Sequence, residues 1–154
     1  MRKKPLEENL EEKEGKKEGL KERGVLLTIQ RSAVLDFLQG NTQHPSADEI
    51  YQTLRGVYPV LSRATVYNTL DLFKQHGLIQ EITIERSKAH YDYNTEPHNH
   101  FYCRHCGRIY DVDIEKIHVA REGRIDGHEM EEARLYMIGT CAACIKEGLG
   151  AGTP

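Results

Sequence analysis

The chain has 154 residues, of which 38% are hydrophobic and 29% charged, and its formal net charge is -3 at pH 7. This length predicts one or two small domains with modest cores. The slightly acidic balance excludes a global attraction to nucleic acid, so any DNA binding must depend on a local face. No apolar run forms a signal-peptide core or approaches the ~20 residues that span a bilayer. We therefore expect a cytoplasmic protein with no membrane partner.

The first part of the chain, residues 1–23, consists mainly of Glu, Lys and Arg. Such a composition can bury little surface, and we interpret it as a charged N-terminal segment. Leu6, Leu10 and Leu20 leave open the alternative that part of it forms a helix docked on the body.

Three short helices are predicted between residues 28 and 77, each with a start and a stop signal. Thr28 can cap the first, Ser46 with Glu49 forms a capping box for the second, and Ser62 begins the third. The predicted buried positions are Ala33, Val34, Phe37, Leu38, Ile50, Leu54, Val66, Leu70 and Phe73. Three helices in about fifty residues are the outline of a helix-turn-helix domain.

A β-hairpin is predicted directly after the third helix. The segments "LIQEITI" and "KAHYDYN" flank the polar turn "ERSK", and both have apolar residues at a period of two. Together with the helices, this hairpin predicts a winged helix-turn-helix domain over residues 24–94.

The segment 95–147 contains two Cys-x-x-Cys pairs, a helical stretch near residues 114–122 and the alternating strand "ARLYMIGT". A core of about fifty residues is seldom stable alone, so a metal or a partner subunit is expected. The predicted fold is thus α+β, with a small C-terminal α/β domain after the winged helix and a flexible tail at residues 148–154.

The paired cysteines are Cys103 with Cys106 and Cys141 with Cys144. Four thiolates form a closed tetrahedral zinc site with no open position, which is structural. The 34 residues between the pairs exceed the usual zinc-ribbon gap but fit a site that joins strands of an α/β unit. The alternative is a pair of thioredoxin-like redox motifs, which normally open a helix, whereas "CRHC" follows the strand-like "HFY". The pattern therefore favours structural zinc.

A second group of possible ligands surrounds the first cysteine pair. Strand alternation would place His98 and His100 on one face, and Asp111 follows closely. Imidazoles and carboxylates form a harder site than thiolates and suit Fe(II), Mn(II) or Zn(II). The local sequence alone leaves open whether this group binds a metal or is a surface histidine cluster.

Seven segments occur in the order seen in the ferric-uptake-regulator (Fur) family of bacterial metal-sensing repressors: "LTIQRSAVL", "HPSADEIY", "ATVYNTL", "HYDYN", "HNHFYC", "CGRIYD" and "CAAC". The sequence resembles this family from about Gly24 to Lys146. The resemblance implies a homodimeric, non-enzymatic repressor of double-stranded DNA with a palindromic operator, a C-terminal dimerisation domain and a structural Zn(2+). It also implies a regulatory Fe(2+) or Mn(2+) between the domains, with the ligands His44, Asp92, His98, His100 and Asp111.

Within the family, the sequence is similar to the peroxide-sensing (PerR-type) branch. Asp92 and Asp111 stand where iron-uptake regulators usually have glutamates, and Asn68 also resembles that branch. An additional metal site of many Fur-type members is expected to be absent, because its ligand positions hold Pro97, Asn99 and Ala133. The resemblance suggests that peroxide oxidises His44 or His98 when Fe(II) is bound, which releases the metal and the DNA.

The third helix is the expected DNA-reading element. The candidate contacts are Arg63, Tyr67 and Asn68, with Thr69 and Arg31 as weaker phosphate contacts. Two alternatives remain open: an iron or zinc uptake regulator that does not sense peroxide, and a zinc-dependent hydrolase that uses His98, His100 and Asp92.

Overall fold

A computed structural model of the chain describes residues 20–22, 24–85, 87–113, 123–125, 128–131 and 133–149, with the side chains of 123–125 excepted. The described residues form two compact units. The first contains residues 20–41 and Pro45–Thr95, and the second contains Thr42–His44 and the residues from 96 onwards. The helix predicted near 114–122, the segment 1–19 and the end of the tail lie outside the described residues. Among the residues described, every helix is too short or too polar to cross a bilayer.

The first unit begins with three helices, α1 (Ile29–Leu38), α2 (Ala47–Leu54) and α3 (Arg63–Gln75). Each is capped as the sequence predicted. The Thr28 hydroxyl accepts a hydrogen bond from the Arg31 N–H at 3.2 Å, and the Ser62 hydroxyl accepts one from the Thr65 N–H at 3.0 Å. Ser46 forms the complete capping box, in which the Glu49 carboxylate accepts from the Ser46 N–H at 2.8 Å. These caps satisfy backbone donors that a helix start leaves without internal partners.

The core of the first unit lies between these helices. Its buried members are Leu20, Val25, Ala33, Val34, Leu35, Leu38, Ala47, Ile50, Leu54, Leu61, Val66, Leu70, Phe73, Leu78, Ile79 and Tyr91. The predicted inner face of α1 needs one correction, because Leu35 is fully buried while Phe37 is only half-buried. Leu20 is 1% exposed and part of this core, so the docked alternative holds for this residue of the charged segment.

The predicted hairpin follows as β1 (Gln80–Glu85) and β2 (Lys88–Asp92), which pair antiparallel. The start of α2 is joined to it, because the Tyr91 N–H donates to the Pro45 carbonyl at 3.0 Å and Ser46 bridges His90. Three helices and a hairpin in this order form the predicted winged helix.

The second unit is built on a three-stranded sheet. Its strands are β3 (Asn99–Cys103), β4 (Ile109–Val112) and, after the short hairpin of β5 (Gly123–Ile125) and β6 (His128–Met130), β7 (Tyr136–Gly139). β3 is central, antiparallel to β4 and parallel to β7. The helix α4 (Ala142–Lys146) follows. The strand predicted from "ARLYMIGT" is present but limited to its central residues.

The register of this sheet sorts the candidate ligands onto two faces. His100 pairs with Asp111, and Phe101 pairs with Tyr110. Paired residues share a face and successive residues alternate between faces. His100 and Asp111 therefore lie on one face, and Phe101, Tyr110 and Cys103 lie on the other.

Candidate metal centres and DNA-facing helix

The four cysteines converge on one point of the second unit. Their sulfur atoms all lie within 4.8 Å of one another. The Sγ atoms of Cys103 and Cys144 are 3.8 Å apart, and those of Cys106 and Cys141 are 3.7 Å apart. Zinc–sulfur bonds of ~2.3 Å directed to the corners of a tetrahedron separate sulfurs by about 3.8 Å. The arrangement therefore fits one tetrahedral zinc ion held by both pairs.

Local structure explains how the two pairs meet. Cys103 ends β3, and the turn that carries Cys106 closes at Gly107, whose φ of +69° is in the left-handed region that glycine adopts without strain. Cys141 is the N-cap residue of α4 and Cys144 lies in its first turn. The Cys141 N–H also donates to the Cys103 sulfur at 3.3 Å. Strand end, tight turn and helix start thus supply the four ligands.

The protonation of these thiols depends on their surroundings. Burial raises the pKa of the Cys103 thiol. Hydrogen bonds from the backbone N–H groups of Cys106, Cys141 and His105 outweigh this effect and lower the pKa to about 6. Burial and the neighbouring cysteines raise the pKa of the Cys144 thiol to about 12. Four adjacent sulfurs cannot all carry negative charge without a cation among them. The donor set therefore fits a soft divalent ion such as zinc.

A second cluster, within the same unit, consists of His44, His98, His100 and Asp111, whose ligand atoms also lie within 4.8 Å of one another. One atom, Asp111 Oδ1, lies 2.8 Å from His44 Nε2, 3.2 Å from His98 Nε2 and 3.6 Å from His100 Nε2. Metal bonds of ~2.0–2.2 Å place neighbouring ligand atoms about 3 Å apart. The spacing of this cluster is thus that of a coordination shell.

The hydrogen-bond chemistry of His98 supports the same conclusion. Its Nδ1 lies 2.7 Å from the Glu96 carbonyl oxygen, which can only accept, so Nδ1 carries the hydrogen. In the neutral ring the lone pair is then on Nε2, which faces a carboxylate oxygen. His98 Nε2 and Asp111 Oδ1 are then two acceptors only 3.2 Å apart. They require between them either a cation or a proton on the second ring nitrogen. Burial raises the pKa of Asp111, but the adjacent imidazoles of His44 and His98 hold it well below its usual range, so the carboxylate stays charged.

His44 is the member that reasoning from local sequence missed and only the family resemblance supplied. It is 1% exposed and has a φ of +49°. A left-handed backbone is uncommon for any residue other than glycine and often marks a functional site. No local sequence pattern indicates that His44 is a ligand, because more than fifty residues separate it from His98. The structure groups it with the second unit.

Asp92, the fifth predicted ligand, is the last residue of β2 in the first unit and is 4% exposed. Its Oδ1 accepts from the Asn94 N–H at 2.8 Å, and its Oδ2 accepts from the Gln80 side-chain amide at 3.4 Å. These bonds orient the carboxylate. Its role as a metal ligand stays a prediction.

The predicted DNA contacts on α3 divide into exposed and buried side chains. Tyr67 is 47% exposed, and Arg63 and Asn68 are exposed as well. The Arg63 guanidinium pairs with Asp48. Thr69, however, is 2% exposed and its hydroxyl donates to the Thr65 carbonyl at 2.7 Å. The predicted phosphate contact by Thr69 is therefore wrong, because its side chain is buried on the core-facing side of α3.

Arg31, the other weak candidate, lies on α1. Its Nη1 donates to the Leu26 carbonyl at 2.7 Å, and the residue is half-buried. The guanidinium retains further donors for a phosphate.

Comparison with known proteins decides the family. The model of the ferric uptake regulator family matches residues 22–138. The chain belongs to this family. The peroxide operon regulator of Bacillus subtilis (strain 168) is 37% identical over 132 residues, which cover 84% of this chain and 91% of that protein. The Fur-family membership predicted from the motifs is confirmed.

Two further comparisons agree with this assignment. The peroxide-responsive repressor PerR of Staphylococcus epidermidis (strain ATCC 12228 / FDA PCI 1200) is 35% identical over 131 residues, covering 84% of this chain and 87% of that protein. The solved structure of the ferric uptake regulator from Francisella tularensis with iron has a TM-score of 0.68 at 25% identity, covering 79% of this chain and 96% of that one. The predicted fold and the similarity to PerR-type members are confirmed.

Proposed function

We propose that this chain is a metal-dependent, peroxide-responsive repressor that binds a palindromic DNA operator as a homodimer in the cytoplasm. As a member of a family of regulators, the chain is a transcription factor and not an enzyme. The observation that carries the proposal is the cluster in which one Asp111 oxygen lies within 3.6 Å of three imidazole nitrogens. The similarity to two regulators named for their peroxide response supports the sensing role.

In this proposal the two clusters have separate tasks. Cys103, Cys106, Cys141 and Cys144 hold a structural Zn(2+), which stabilises the small second unit. His44, His98, His100 and Asp111, with Asp92 as the fifth ligand, hold a regulatory Fe(2+) or Mn(2+).

The link from metal to DNA runs through His44. This residue is followed directly by Pro45 and by Ser46, the N-cap of α2 in the DNA-binding unit. A ligand that binds one conformer more tightly shifts the population towards it, here towards the conformer that binds DNA. Loss of His44 as a ligand removes this bias.

The peroxide response needs an oxidisable ligand beside the metal. When bound, Fe(2+) supplies redox chemistry by which one peroxide oxygen is added to a ring carbon of His44 or His98 and the other leaves as water. An oxidised imidazole is a poorer ligand, so the remaining residues hold the metal less tightly and the DNA-binding conformer loses its support. Mn(2+) does not do this chemistry readily, and the repressor should stay on DNA.

DNA would be read by the exposed face of α3. Arg63 can contact a base edge or a phosphate, and Asn68 can contact a base edge. Tyr67 can pack on a thymine methyl group, and Arg31 can contact a DNA phosphate. Since the whole chain has a net charge of -3, non-specific attraction to DNA is weak. Binding should therefore need two half-sites engaged by a symmetric dimer.

The test is a DNA-binding titration on a palindromic Fur-type or PerR-type operator. Zinc-only, Mn(II)-loaded and anaerobically Fe(II)-loaded protein would be compared before and after a micromolar peroxide pulse. We expect Mn(II) and Fe(II) to promote binding and peroxide to abolish it only with Fe(II). If peroxide changed neither form, the protein would be an iron or zinc uptake regulator instead, and a lack of metal-dependent DNA binding would contradict the repressor itself.

A further inference from the structure

Arg63 begins α3, the helix proposed to read DNA, and its guanidinium carries a charge that this position disfavours. The N-terminus of a helix has a partial positive charge, which repels a cation and attracts an anion. The first turn of α3 contains no acidic residue. A negative charge from a neighbouring element would therefore stabilise the Arg63 side chain at this end of the helix.

Asp48 supplies this charge from the first turn of α2. Its carboxylate pairs with Arg63 Nη1, although 15 positions separate the two residues in the sequence. Glu49, the other acidic residue of that turn, is engaged elsewhere. It closes the capping box with Ser46, and its Oε1 lies 3.4 Å from Lys88 Nζ. Asp48 is thus the acidic residue of this turn that is paired with Arg63.

An aromatic ring contacts the same guanidinium from a second direction. Arg63 Cζ lies 5.1 Å from the centroid of the Tyr51 ring, which is a cation–π distance. Tyr51 follows Asp48 by about one turn of α2, and its half-buried ring packs against the core of the first unit. A charge and a ring on one helix therefore hold the Arg63 side chain in place, although it is 53% exposed.

This arrangement changes what Arg63 can offer to DNA. The pair with Asp48 is neutral overall, and a phosphate that approaches the guanidinium also meets the carboxylate, which repels it. A base edge carries no net charge and is not repelled in this way. The pair uses Nη1, whereas a guanidinium has further N–H donors on Nη2 and Nε, enough for two parallel hydrogen bonds to a base. Base contacts can therefore form with the pair intact, whereas phosphate contacts are weakened.

We propose that Asp48 determines the DNA specificity of this chain by neutralising and orienting Arg63, so that the guanidinium supports operator recognition but adds little to non-specific binding. The inference rests on the proposed DNA-binding function. Asp48 acts through Arg63 and is a positioning residue, not itself a DNA contact. Non-specific binding depends almost entirely on phosphate contacts, so it is the kind of binding that the pair reduces most.

The experiment compares the full, Mn(II)-loaded wild-type chain with Asp48→Ala on a palindromic Fur-type or PerR-type operator and on a duplex of scrambled sequence. We expect the variant to bind the scrambled duplex about three- to tenfold more tightly, because Arg63 is released to contact phosphates. The dependence of log affinity on log salt concentration should become steeper by about one per chain. Operator affinity should change by less than about twofold, since lost positioning offsets the gained charge, so the ratio of operator to scrambled affinity falls.

The matched control is Asp71→Ala on α3. The exposed fractions of the Asp71 and Asp48 side chains are similar, at 59% and 53%. The cationic partner of Asp71 is Lys74, whose Nζ also lies 2.7 Å from Glu81 Oε2 and stays paired there. This variant therefore removes the same charge without releasing a cation, and its salt dependence should match that of the wild type.

A double variant separates the release of Arg63 from a general change of charge. Asp48→Ala combined with Arg63→Ala should lose the gain on the scrambled duplex that Asp48→Ala shows alone. Two results would overturn the inference while the proposed function stood: Asp48→Ala with wild-type affinity and salt dependence on the scrambled duplex, or a gain that persists without Arg63. If the wild-type chain showed no metal-dependent binding to either operator, the proposed function would fail, and the inference with it.

Discussion

The two faces of the β3–β4–β7 sheet carry two clusters of opposite character. On one face, three of four identical soft ligands are buried, and their geometry is a closed tetrahedron. On the other, imidazoles surround a carboxylate whose side chain is 44% exposed. Each cluster has one exposed member, so the difference lies in the ligands and not in burial. Four identical thiolates form a closed shell around zinc, whereas a mixed shell of imidazoles and carboxylates can leave a coordination position open.

Two successive residues of β4 belong to the surroundings of different clusters. Tyr110 contacts the cysteine cluster, and the next residue, Asp111, belongs to the histidine cluster. Because strand residues alternate between faces, a register slip of one position would exchange their surroundings. The antiparallel pairing of β3 with β4 is therefore what keeps the two clusters distinct.

The largest effect is expected from Cys103→Ser, which removes a ligand that is fully buried. Structural zinc sites contribute ~10–16 kcal/mol to folding in small domains. We expect loss of zinc, unfolding of the second unit and loss of the proposed dimer, measured by metal analysis, circular dichroism and sedimentation. A zinc-free variant that melted like the wild type would show that the cysteine cluster does not hold the fold.

Asp111→Asn should affect only metal binding at the histidine cluster. Replacing the charged carboxylate by a neutral amide should weaken Mn(II) binding by about 100-fold or more, while zinc content and the melting temperature stay unchanged. Calorimetric titration with Mn(II) checks this. The matched control is Asp113→Asn, an exposed aspartate two positions on, which should bind Mn(II) as the wild type does. Equal affinities for both variants would remove Asp111 from the ligand set.

A pH series should separate the clusters more finely. Imidazoles bind metal only when neutral, so Mn(II) affinity should fall as pH decreases and protons compete with the metal for the ring nitrogens. Asp111 contributes nothing to this loss, since its pKa is held below its usual range and it stays charged. Zinc should remain over this range, because a bound zinc ion keeps its thiolate ligands deprotonated. Zinc release at a higher pH than Mn(II) release would contradict the assignment.

The smallest effect is expected from Gly139→Ala on β7. An added Cβ would lie 3.2 Å from Cζ of the Phe101 ring, which must shift slightly. We expect a loss of about 1 kcal/mol in the free energy of unfolding, with Mn(II) affinity unchanged. Gly56→Ala is the control, because no atom lies within 4 Å of its added Cβ. Equal stability of the two variants would show that the Phe101 side of the sheet tolerates repacking.

Features with local causes were predictable from the sequence. The caps at Thr28, Ser46 and Ser62 depend on residues a few positions away, and the Cys-x-x-Cys spacing itself indicates a shared ion. The inner face of α1 was predicted only in part, because a helix rotates by about 100° per residue and Leu35 is one step from the face chosen. Thr69 was predicted as a weak phosphate contact, but its side chain is buried in α3.

Features with long-range causes were not predictable from the residues alone. His44 joins His98 and His100 although more than fifty residues lie between them, and its left-handed backbone has no sequence signature. Only the motif order of the family led to it. The pairing of Tyr110 with the zinc cluster likewise depends on strand register, which no short motif encodes.

The most direct test of the account is to expose anaerobically Fe(II)-loaded, zinc-containing protein to a short peroxide pulse and measure peptide masses and zinc content in the same sample. We expect a gain of one oxygen on a peptide that contains His44 or His98, with zinc retained and the cysteines reduced. A disulfide among the four cysteines with zinc released, and no oxygen on either histidine peptide, would contradict it by placing the peroxide response at the closed site.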